Sequence, residues 1–313
     1  MKNHPALPGV EEKPVRTALL LAAGTGSRLA PLTDKTAKCR VLVNKISILE
    51  RLVDTLRLHN FKRLVIVVGH QANSIRDFLG SQFGGMKITY ITSPVYKTTN
   101  NIYSLWLARK EINEPFLLIE SDLVFNPEML KDMLQPDRIA VSKLQPWMNG
   151  TTVTINRHQR IKAFHKDIRK TEDRQYKTVN IYSLSMQTWG AVRKRLDQRI
   201  SKNRVNGYYE TVFSDMVTEG CLSFTPVLFD ANRWYEIDTI ADLRAAAYMC
   251  SHHHLPSASL PAHGVRDKVA LDVFHTVKVS PATTRTKSRP KRYPDSKAPA
   301  SMMPASLLEP QSI

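Results

Sequence analysis

The sequence predicts an α/β protein built around a mostly parallel, doubly wound sheet. Strand and helix patterns alternate through the first half of the chain, which favours parallel strands joined by crossover helices. The second half has several strand patterns separated by short turns, so we expect a small antiparallel β extension beside that sheet. The chain has 313 residues, 42% of them hydrophobic, which is enough for one such Rossmann-like domain. We place this domain at residues 17–250, after an amino-terminal extension over residues 1–16.

Four apolar runs in the first half have the composition of strands. The run at Leu64–Val68 is LVIVV, which is typical of a strand buried on both faces. A capping box over Ser47-Ile48-Leu49-Glu50 begins a helix between the first two strands, and Asn126 followed by Pro127 begins another after the fourth. The predicted strands are Thr17–Ala22, Leu64–Val68, Met86–Ile91 and Phe116–Ile119, and two further helices are predicted at Ser74–Leu79 and Asn101–Arg109.

The second half is predicted to begin with strands and to end with helices around a last strand pair. The strands are expected at Arg138–Leu144, Thr151–Ile155, Arg160–Phe164 and Thr178–Ser185. Two helices follow at Thr188–Ile200 and Tyr209–Glu219. The last strand pair is expected at Ser223–Phe229 and Trp234–Ile237, and a helix at Thr239–Tyr248 closes the domain.

The chain is strongly basic, with a formal net charge of +17. Residues from His252 onward hold nine Lys or Arg against four Asp or Glu, together with eight of the 18 prolines. This composition predicts a disordered basic Pro/Ser-rich tail over 251–313, or a linker to a second domain. No helix-turn-helix, RNP-type aromatic pattern or zinc finger occurs, so we expect no dedicated nucleic-acid function. An anionic nucleotide and an anionic co-substrate account for a basic cleft more simply.

The three cysteines, Cys39, Cys221 and Cys250, lie far apart in the chain. Because no C-x-x-C motif occurs, the sequence predicts neither a zinc site nor a disulfide framework, and we expect a reducing, cytoplasmic location. No apolar run approaches the ~20 residues needed to span a bilayer, so we expect no membrane association.

The most informative segment is the loop that follows the first strand. Its small residues, among them Gly24 and Gly26, allow backbone N–H groups to converge on an anion. Arg28 and Lys38 are suited to neutralise a polyphosphate held there. The P-loop and the dinucleotide fingerprint are both excluded, because no Lys-Ser or Lys-Thr follows either glycine and Leu29 stands where the third small residue belongs. The predicted nucleotide-binding loop residues are Ala22, Ala23, Gly24, Thr25, Gly26, Ser27, Arg28 and Lys38.

Two carboxylates stand at strand ends where a phosphate-bound metal ion is commonly held. Asp122 follows a buried strand at the carboxyl edge of the predicted sheet, and Asp238 follows the last strand. Each also has a purely local interpretation. Asp122 suits a strand-end turn, and Asp238 suits the N-cap of the closing helix.

Over residues 17–250 the chain resembles the nucleotidyltransferase family that makes NDP-sugars and CDP-alcohols, whose signature is L-x-A-G-x-G-x-R, then Pro-Lys, then a helix. The segment from Leu21 to Arg28 matches it, and Lys38 matches the lysine. The resemblance implies the single-domain nucleotidyltransferase fold, a catalytic set of Arg28, Lys38, Asp122 and Asp238, and Mg²⁺ held by the two aspartates. Ala37 replaces the proline, which predicts a less rigid lysine loop, and Arg40 and Lys45-Ile46-Ser47 also depart from the usual pattern.

The run N-N-I-Y-S-L-x-x-A-R, from Asn100 to Arg109, is similar to the branch of this family that activates phosphocholine and aminoalkyl-phosphonates with CTP. On this basis Asn100, Asn101 and Ser104 are predicted to bind the nucleotide. The alternative is that Asn100 or Asn101 simply caps a helix.

A further similarity to this branch over 176–182 and 207–210 implies an acceptor pocket. Aromatic rings of Tyr208, Tyr209, Trp147 and Trp234 would suit a quaternary ammonium, and Glu210 would suit an amine. The alternatives are core packing for the tyrosines, solvent exposure for Glu210 and a strand-surface position for Lys177. The predicted acceptor-binding residues are Lys177, Asn180, Tyr208, Tyr209, Glu210 and Trp234.

The resemblance therefore implies a Mg²⁺-dependent cytidylyltransferase that transfers CMP from CTP to a small phosphate or phosphonate acceptor. Phosphocholine, 2-aminoethylphosphonate and 2-hydroxyethylphosphonate all remain open as acceptors. The alternatives are another sugar- or inositol-phosphate nucleotidyltransferase, and a non-catalytic nucleotide- or RNA-binding protein.

Overall fold

A computed structural model describes residues 14–166 and 173–252 of the chain. Its strands are β1 (Thr17–Ala22), β2 (Leu42–Val43), β3 (Ile46–Ser47), β4 (Arg63–Val68), β5 (Gln82–Phe83), β6 (Met86–Thr92), β7 (Phe116–Glu120), β8 (Leu123–Phe125), β9 (Arg138–Lys143), β10 (Thr152–Ile155), β11 (Ile161–His165), β12 (Gln175–Leu184), β13 (Thr225–Phe229) and β14 (Trp234–Glu236). Its α-helices are α1 (Ile48–Leu58), α2 (Ala72–Leu79), α3 (Asn101–Leu107), α4 (Met186–Ile200), α5 (Glu210–Thr218) and α6 (Ile240–His252). Short 3₁₀ helices cover Ser27–Leu29, Lys38–Arg40, Ala108–Lys110 and Pro127–Met133.

The centre of the molecule is a parallel sheet in which β1 lies between β4 and β7. β6 continues the parallel pairing on the far side of β4. The chain therefore runs outward from β1 in one direction and then returns to place β7 on the other side. In doubly wound sheets this reversal opens a crevice beyond the carboxyl ends of the strands, and ligands bind there.

The predicted antiparallel extension is present and begins at β7. β12 pairs antiparallel with β7 and also with β9 and β10, and β11 is added beyond β10. The predicted α/β fold with a largely parallel central sheet is thus confirmed.

Alternating residues of the central strands supply two hydrophobic cores, one on each face of the sheet. Leu20 packs in the core that includes α1 and α2. Its neighbours Leu19 and Leu21 pack in the core that includes α3, α4 and α5. This division follows from the strand period of two, which directs successive side chains to opposite faces. A third apolar cluster, containing Leu29, Ile48 and Ile237, joins α6 to the loops at the carboxyl edge of the sheet.

Two predicted elements differ from the structure. The segment after Asn126 forms a 3₁₀ helix rather than an α-helix, although Asn126 caps it by accepting from the Glu128 N–H at 3.0 Å. Pro136 follows shortly after, and a proline disfavours helical backbone in the residue before it, so the segment is too short for several α-helical turns.

The predicted last strand pair is also wrong, because its members pair with different partners. β13 adds to β9 in parallel, whereas β14 pairs antiparallel with β8. The sequence did not predict β8, whose three residues are too few to show a period. This β8–β14 ribbon carries the residues that follow Asp122 and those that precede Asp238, and so it draws the two aspartates together.

The predicted boundaries of the domain stay predictions. Apart from Ser251 and His252, the predicted tail lies outside the described residues, as do residues 1–13 of the predicted extension. Among the residues that the structure describes, no helix combines the length and the apolar composition that crossing a bilayer requires.

Candidate active site

The loop after β1 contains two glycines with different structural roles. Gly26 has a φ of +62°, and a Cβ atom there would lie 3.0 Å from both the Cβ of Lys38 and the Cγ2 of Thr33. Gly24, by contrast, has no atom within 4 Å of such a position. Gly26 is therefore required for both backbone conformation and close packing against the lysine, whereas Gly24 leaves the loop open towards solvent.

A third glycine, Gly69, was not identified from the sequence. It directly follows β4, and a Cβ atom there would lie 2.6 Å from the carbonyl oxygen of Ala23. The next residue, His70, donates its backbone N–H to the same oxygen at 3.2 Å. Gly69 thus lets the end of β4 approach the loop after β1. A glycine immediately after a buried strand is the signal that would have pointed to it.

Lys38 lies at the start of the 3₁₀ helix Lys38–Arg40, on a loop anchored to α2. The backbone N–H of Ala37 donates to Ser74 Oγ at 3.0 Å, and this hydroxyl donates to the carbonyl of Gln71 at 2.8 Å. A proline at position 37 has no N–H and could not make this bond. Because Ala37 keeps its N–H, this hydrogen bond anchors to α2 the lysine loop that was predicted to be less rigid without the proline. Arg40 is packed as well, with its guanidinium 3.7 Å above the ring of Phe78.

The four side chains that were predicted to be catalytic meet beyond the carboxyl ends of β1 and β7. Lys38 Nζ lies 2.7 Å from Asp122 Oδ2 and 2.7 Å from Asp238 Oδ1. The Arg28 guanidinium lies 2.8 Å from the same Asp238 oxygen. The side chains of Lys38, Asp122 and Asp238 are 14%, 18% and 19% exposed, whereas that of Arg28 is 65% exposed. We call these four residues the Lys38 centre.

The structure decides against the helix-capping interpretation of Asp238. The start of α6 is closed by a reciprocal pair, in which Asp242 accepts from the Thr239 N–H at 2.8 Å and Thr239 Oγ1 accepts from the Asp242 N–H at 3.2 Å. Because these two residues satisfy the helix start, the Asp238 carboxylate is free to bind Lys38 and Arg28.

Charge pairing outweighs burial at the Lys38 centre. Burial by itself would lower the pKa of Lys38, but Asp122 and Asp238 raise it above its usual value. Burial by itself would likewise raise the pKa of Asp238, but Lys38 and Arg28 hold it below its usual range. These groups are therefore charged near neutral pH, and the two cations balance the two carboxylates.

The donors of the Lys38 centre fit a divalent cation that is shared with a ligand. Asp122 Oδ1 is buried and has no hydrogen-bond partner in the part of the chain that the structure describes. Within that same part, no group of three or more His, Cys, Asp or Glu side chains converges on one point. Mg²⁺ is usually held by one or two carboxylates together with substrate phosphates rather than by an all-protein cage. Asp122 and Asp238 supply such a pair.

The polar residues at the start of α3 form hydrogen bonds mainly with other residues of the protein. Asn100 caps the helix by accepting from the Asn101 N–H at 2.8 Å. The Asn101 amide donates to Glu120 Oε1 at 3.0 Å and accepts from the Tyr209 N–H at 3.0 Å, so it ties α3 to β7 and to the start of α5. Ser104 is 7% exposed. The nucleotide-binding role of these three residues stays a prediction, and the contacts of Asn101 favour a structural one.

Lys177 is a buried residue of β12 rather than a surface lysine. Its side chain is 3% exposed, donates to the Thr178 carbonyl at 2.7 Å and lies 3.3 Å from Glu236 Oε2. Asn180 donates to the other oxygen of Glu236 at 3.1 Å. Its φ of +60° falls where the pairing of β12 with β9 shifts register. The irregular strand thus points these polar groups at Glu236.

Glu236 and Glu210 lie near this lysine, and Glu120 lies near Glu210; the sequence indicated only Glu210. Glu210 is 8% exposed, and its Oε2 atom has no hydrogen-bond partner among the described residues. Burial raises its pKa to about 7 in spite of the opposing effect of Lys177. Glu236 also has a raised pKa, because burial outweighs Lys177. Burial raises the pKa of Glu120, and the nearby Asp122 and Glu210 raise it further.

These glutamates face one another around Tyr182. Burial raises the pKa of the Tyr182 hydroxyl, and Glu210, Glu120 and Glu236 all raise it further. The four residues Lys177, Glu120, Glu210 and Glu236 are called the Lys177 centre below. Glu120 was missed although it ends a buried strand, a position where a carboxylate is unusual and therefore informative.

The aromatic residues proposed for the acceptor pocket do not form one cage. Tyr209 and Trp234 are both fully buried, but they belong to different cores. Tyr208 is 53% exposed. Trp147 stacks on Tyr235 with ring centroids 4.2 Å apart and is 38% exposed. The structure therefore favours core packing for Tyr209 and Trp234, and their role in acceptor binding stays a prediction.

This combination of a doubly wound sheet, a glycine loop after β1 and a lysine held by two strand-end aspartates defines a nucleotide-binding α/β protein. Residues 17–158 match the family model described as nucleotidyl transferase. Over these residues the chain therefore matches the nucleotidyltransferase family that the sequence resemblance predicted.

Individual relatives are similar over different parts of the chain. The chain is 30% identical over 249 residues to a CMP-5'-(3-aminopropyl)phosphonate synthase from Streptomyces rubellomurinus, an alignment that covers 76% of this chain and 39% of that protein. It is 27% identical over 124 residues to a choline-phosphate cytidylyltransferase from Streptococcus pneumoniae, covering 40% of this chain and 52% of that protein. The chain thus spans only about two fifths to one half of the length of these two relatives.

The fold is also similar to that of a solved CTP:phosphocholine cytidylyltransferase from Streptococcus pneumoniae. The TM-score is 0.66 at 22% sequence identity, with coverage of 75% of this chain and 99% of that chain. At this level of identity the similarity concerns the fold alone.

Proposed function

We propose that this protein transfers CMP from CTP to a phosphate or phosphonate oxygen of a small alkyl acceptor and releases pyrophosphate. The observation that carries this proposal is the Lys38 centre, in which a lysine, an arginine and two aspartates meet beyond the carboxyl ends of β1 and β7. The names of the Streptomyces and Streptococcus relatives support cytidylyl transfer among the possible nucleotidyl transfers.

In the proposed reaction the acceptor oxygen attacks the α-phosphorus of CTP in line. A new oxygen–phosphorus bond forms as the bond between the α-phosphorus and the bridging oxygen breaks, and the electron pair leaves with pyrophosphate. No general base is needed, because the acceptor oxygen is already anionic near neutral pH. Backbone amides of residues 24–27, Arg28 and Lys38 bind the triphosphate and neutralise the leaving pyrophosphate. Catalysis is then positioning and charge stabilisation.

We also propose that Asp122 and Asp238 hold Mg²⁺ when the nucleotide is bound. The ion would supply positive charge against the phosphate oxygens. The unpartnered Asp122 Oδ1 and the pair of half-buried carboxylates support this assignment.

The Lys177 centre supports an acceptor with a cationic head group. Glu236 and Glu210 share a single lysine, Lys177, and Glu210 Oε2 is buried without a hydrogen-bond partner among the described residues, so an added cation would stabilise the ionised carboxylates. Among the acceptors left open by the sequence, this favours an ammonium over a hydroxyl. A primary ammonium has three N–H donors for carboxylates, whereas a trimethylammonium needs an aromatic cage, which the four predicted aromatic residues do not form together. We therefore propose an aminoalkyl phosphonate or phosphate as the acceptor.

The test is a pyrophosphate-release assay with CTP, UTP, ATP and GTP against five acceptors, with and without Mg²⁺. The acceptors are 2-aminoethylphosphonate, phosphocholine, 2-hydroxyethylphosphonate, inositol-1-phosphate and glucose-1-phosphate. We expect release with CTP and the aminoalkyl acceptor, and none from the Asp122→Asn variant. A preference for glucose-1-phosphate or inositol-1-phosphate would replace the proposed acceptor class. An absence of release with every pair, together with salt-sensitive RNA binding, would instead support a non-catalytic protein.

A further inference from the structure

We infer that Lys38 and the divalent cation compete for Asp122 and Asp238, so that the free protein binds the cation weakly until nucleotide phosphates draw Lys38 away. This inference rests on the proposed function. It concerns how the chain admits the cation rather than which reaction it catalyses.

The first step of the argument is geometric. The Asp122 and Asp238 oxygens are each 2.7 Å from the same Nζ atom, so they are at most 5.4 Å apart with the ammonium between them. A Mg²⁺ ion bound by both oxygens would lie about 2.1 Å from each of them. That position overlaps the space filled by Nζ, so the ammonium and the ion cannot both bind Asp122 Oδ2 and Asp238 Oδ1 at the same time.

The second step concerns charge. Lys38 and Arg28 already balance the two carboxylates, and the three central side chains are less than one fifth exposed. A dication added to this centre would leave an excess of two positive charges in a place that water screens poorly. A triphosphate removes this penalty, because its oxygens bind both the ion and the displaced ammonium.

The third step concerns how Lys38 can move. Its Cβ packs against Gly26 beside the loop after β1, and its backbone is anchored through Ala37 to Ser74. The base of the side chain is therefore fixed, while its four-carbon stem has several rotatable bonds. The ammonium can turn from the aspartates towards the loop amides without any movement of the backbone.

The inference is tested by calorimetric titration of Mg²⁺ into the protein without nucleotide. Lys38→Met keeps much of the side-chain length and removes the ammonium, so we expect it to bind Mg²⁺ about 10-fold more tightly than the wild type, within the usual range of coupling between two ligands. Adding Asp122→Asn to this variant should abolish the gain. Lys35→Met, which removes an exposed lysine from the same segment, should match the wild type.

Arg28→Met distinguishes competition for space from a general effect of charge. Arg28 also pairs with Asp238, but it contacts one carboxylate only and is 65% exposed, so its removal should give a much smaller gain. An equal or larger gain in Arg28→Met would overturn the inference, as would Mg²⁺ affinity in Lys38→Met no higher than in the wild type. Lys38→Gln provides a second replacement if circular dichroism shows that Lys38→Met is unfolded. Because no turnover is measured, these titrations stand apart from the pyrophosphate-release assay that tests the proposed function.

Discussion

The molecule contains two lysine–carboxylate centres that differ in charge balance and in access to solvent. In the Lys38 centre two cations face two aspartates, and Arg28 reaches well into solvent. In the Lys177 centre one lysine, 3% exposed, pairs with Glu236 and lies near Glu210, and Glu120 lies near Glu210. Both lysines are held by carboxylates, yet only in the second centre do carboxyl groups outnumber cations.

This difference indicates what each centre can accept. A balanced and accessible centre suits a ligand that brings its own counter-ion, such as a triphosphate with Mg²⁺. A buried centre in which carboxyl groups outnumber cations suits an added cation, because that cation favours the ionised carboxylates. The two centres lie along one edge of the sheet, because β7 carries Glu120 and leads directly to Asp122, while Glu236 and Asp238 flank the end of β14.

The strongest test of the comparison is the replacement of Lys38. Lys38→Ala should lower the turnover number by roughly 10²–10³, the usual effect of removing one group that stabilises a transition state. The fold should survive, because Asp122 and Asp238 keep some exposure to water, at 18% and 19%, and Arg28 still pairs with Asp238. Steady-state pyrophosphate release and circular dichroism together check this expectation, with Lys35→Ala as control. Near-normal turnover would remove the role assigned to Lys38.

The matched replacement of Lys177 in the Lys177 centre should lower the stability of the fold. Lys177→Met leaves Glu236 without its buried ion-pair partner and Glu210 without a nearby cation, so we expect a loss of about 3–5 kcal/mol in the free energy of unfolding. Urea denaturation measures this loss. Lys162→Met, which breaks an exposed ion pair with Asp173, should change stability by less than about 1 kcal/mol. Equal effects of the two substitutions would show that burial of Lys177 is unimportant.

The stability of the protein should also depend on pH through the buried carboxyl groups of the Lys177 centre. The pKa of Glu210 rises from 4.5 to about 7 on folding, so its stabilising effect is complete below pH 4.5 and is lost as the pH rises through about 7. Glu210→Gln replaces the titratable carboxyl group by an amide, so the variant should not lose this stability as the pH rises. Relative to the wild type, the variant should gain at most about 3 kcal/mol between pH 4 and pH 8. Urea titrations at several pH values measure the difference, and a constant difference would contradict the raised pKa.

The two glycines of the loop after β1 provide a smaller and well-controlled test of the Lys38 centre. Gly26→Ala places a side chain at positive φ and within 3.0 Å of Lys38 and Thr33, so we expect a loss of about 1–2 kcal/mol in stability and a fall in turnover. Gly24→Ala meets nothing within 4 Å and should leave the stability nearly unchanged. Thermal unfolding and pyrophosphate release compare the pair. Equal sensitivity at both positions would show that Gly26 is not specially constrained.

The tether of the lysine loop should have the smallest effect. Ser74→Ala leaves the buried Ala37 N–H without its acceptor and should cost about 1 kcal/mol of stability. Ala37 has a φ of −67°, which a proline can adopt, so Ala37→Pro should restore stability in the Ser74→Ala background but not in the wild type. A double-mutant cycle measured by thermal unfolding tests this. Strictly additive effects would show that the hydrogen bond contributes nothing.

Much of the fold was predictable because its signals are local. The central strands appear as apolar runs, and Ser47 caps α1 as predicted, with its Oγ accepting from the Glu50 N–H at 3.1 Å. The failures lie where local signals are weak. β8 has three residues, and the true partner of β14 depends on an element more than a hundred positions away in the chain.

The residues of the candidate site also divide into those with a local sequence signal and those whose role depends on distant contacts. The glycine loop, Lys38, Asp122 and Asp238 were predicted because each stands in a recognisable pattern, and the structure brings them together. Glu120 and Glu236 were missed because the sequence does not show which other charged groups a glutamate at a strand end will meet. Tyr209 and Trp234 were assigned to a pocket because sequence alone does not show whether an aromatic ring faces a core or a cleft.

The sequence by itself determined the residue types, the strands and the loop that a nucleotide site requires. Only the tertiary structure decided that Lys38 lies between two aspartates that are 84 and 200 residues further along the chain. The reason is physical. Backbone conformation and apolar periodicity arise from near neighbours, whereas the balance of charge at a point in space depends on every strand that ends there, and the order of strands in the sheet sets which of them do.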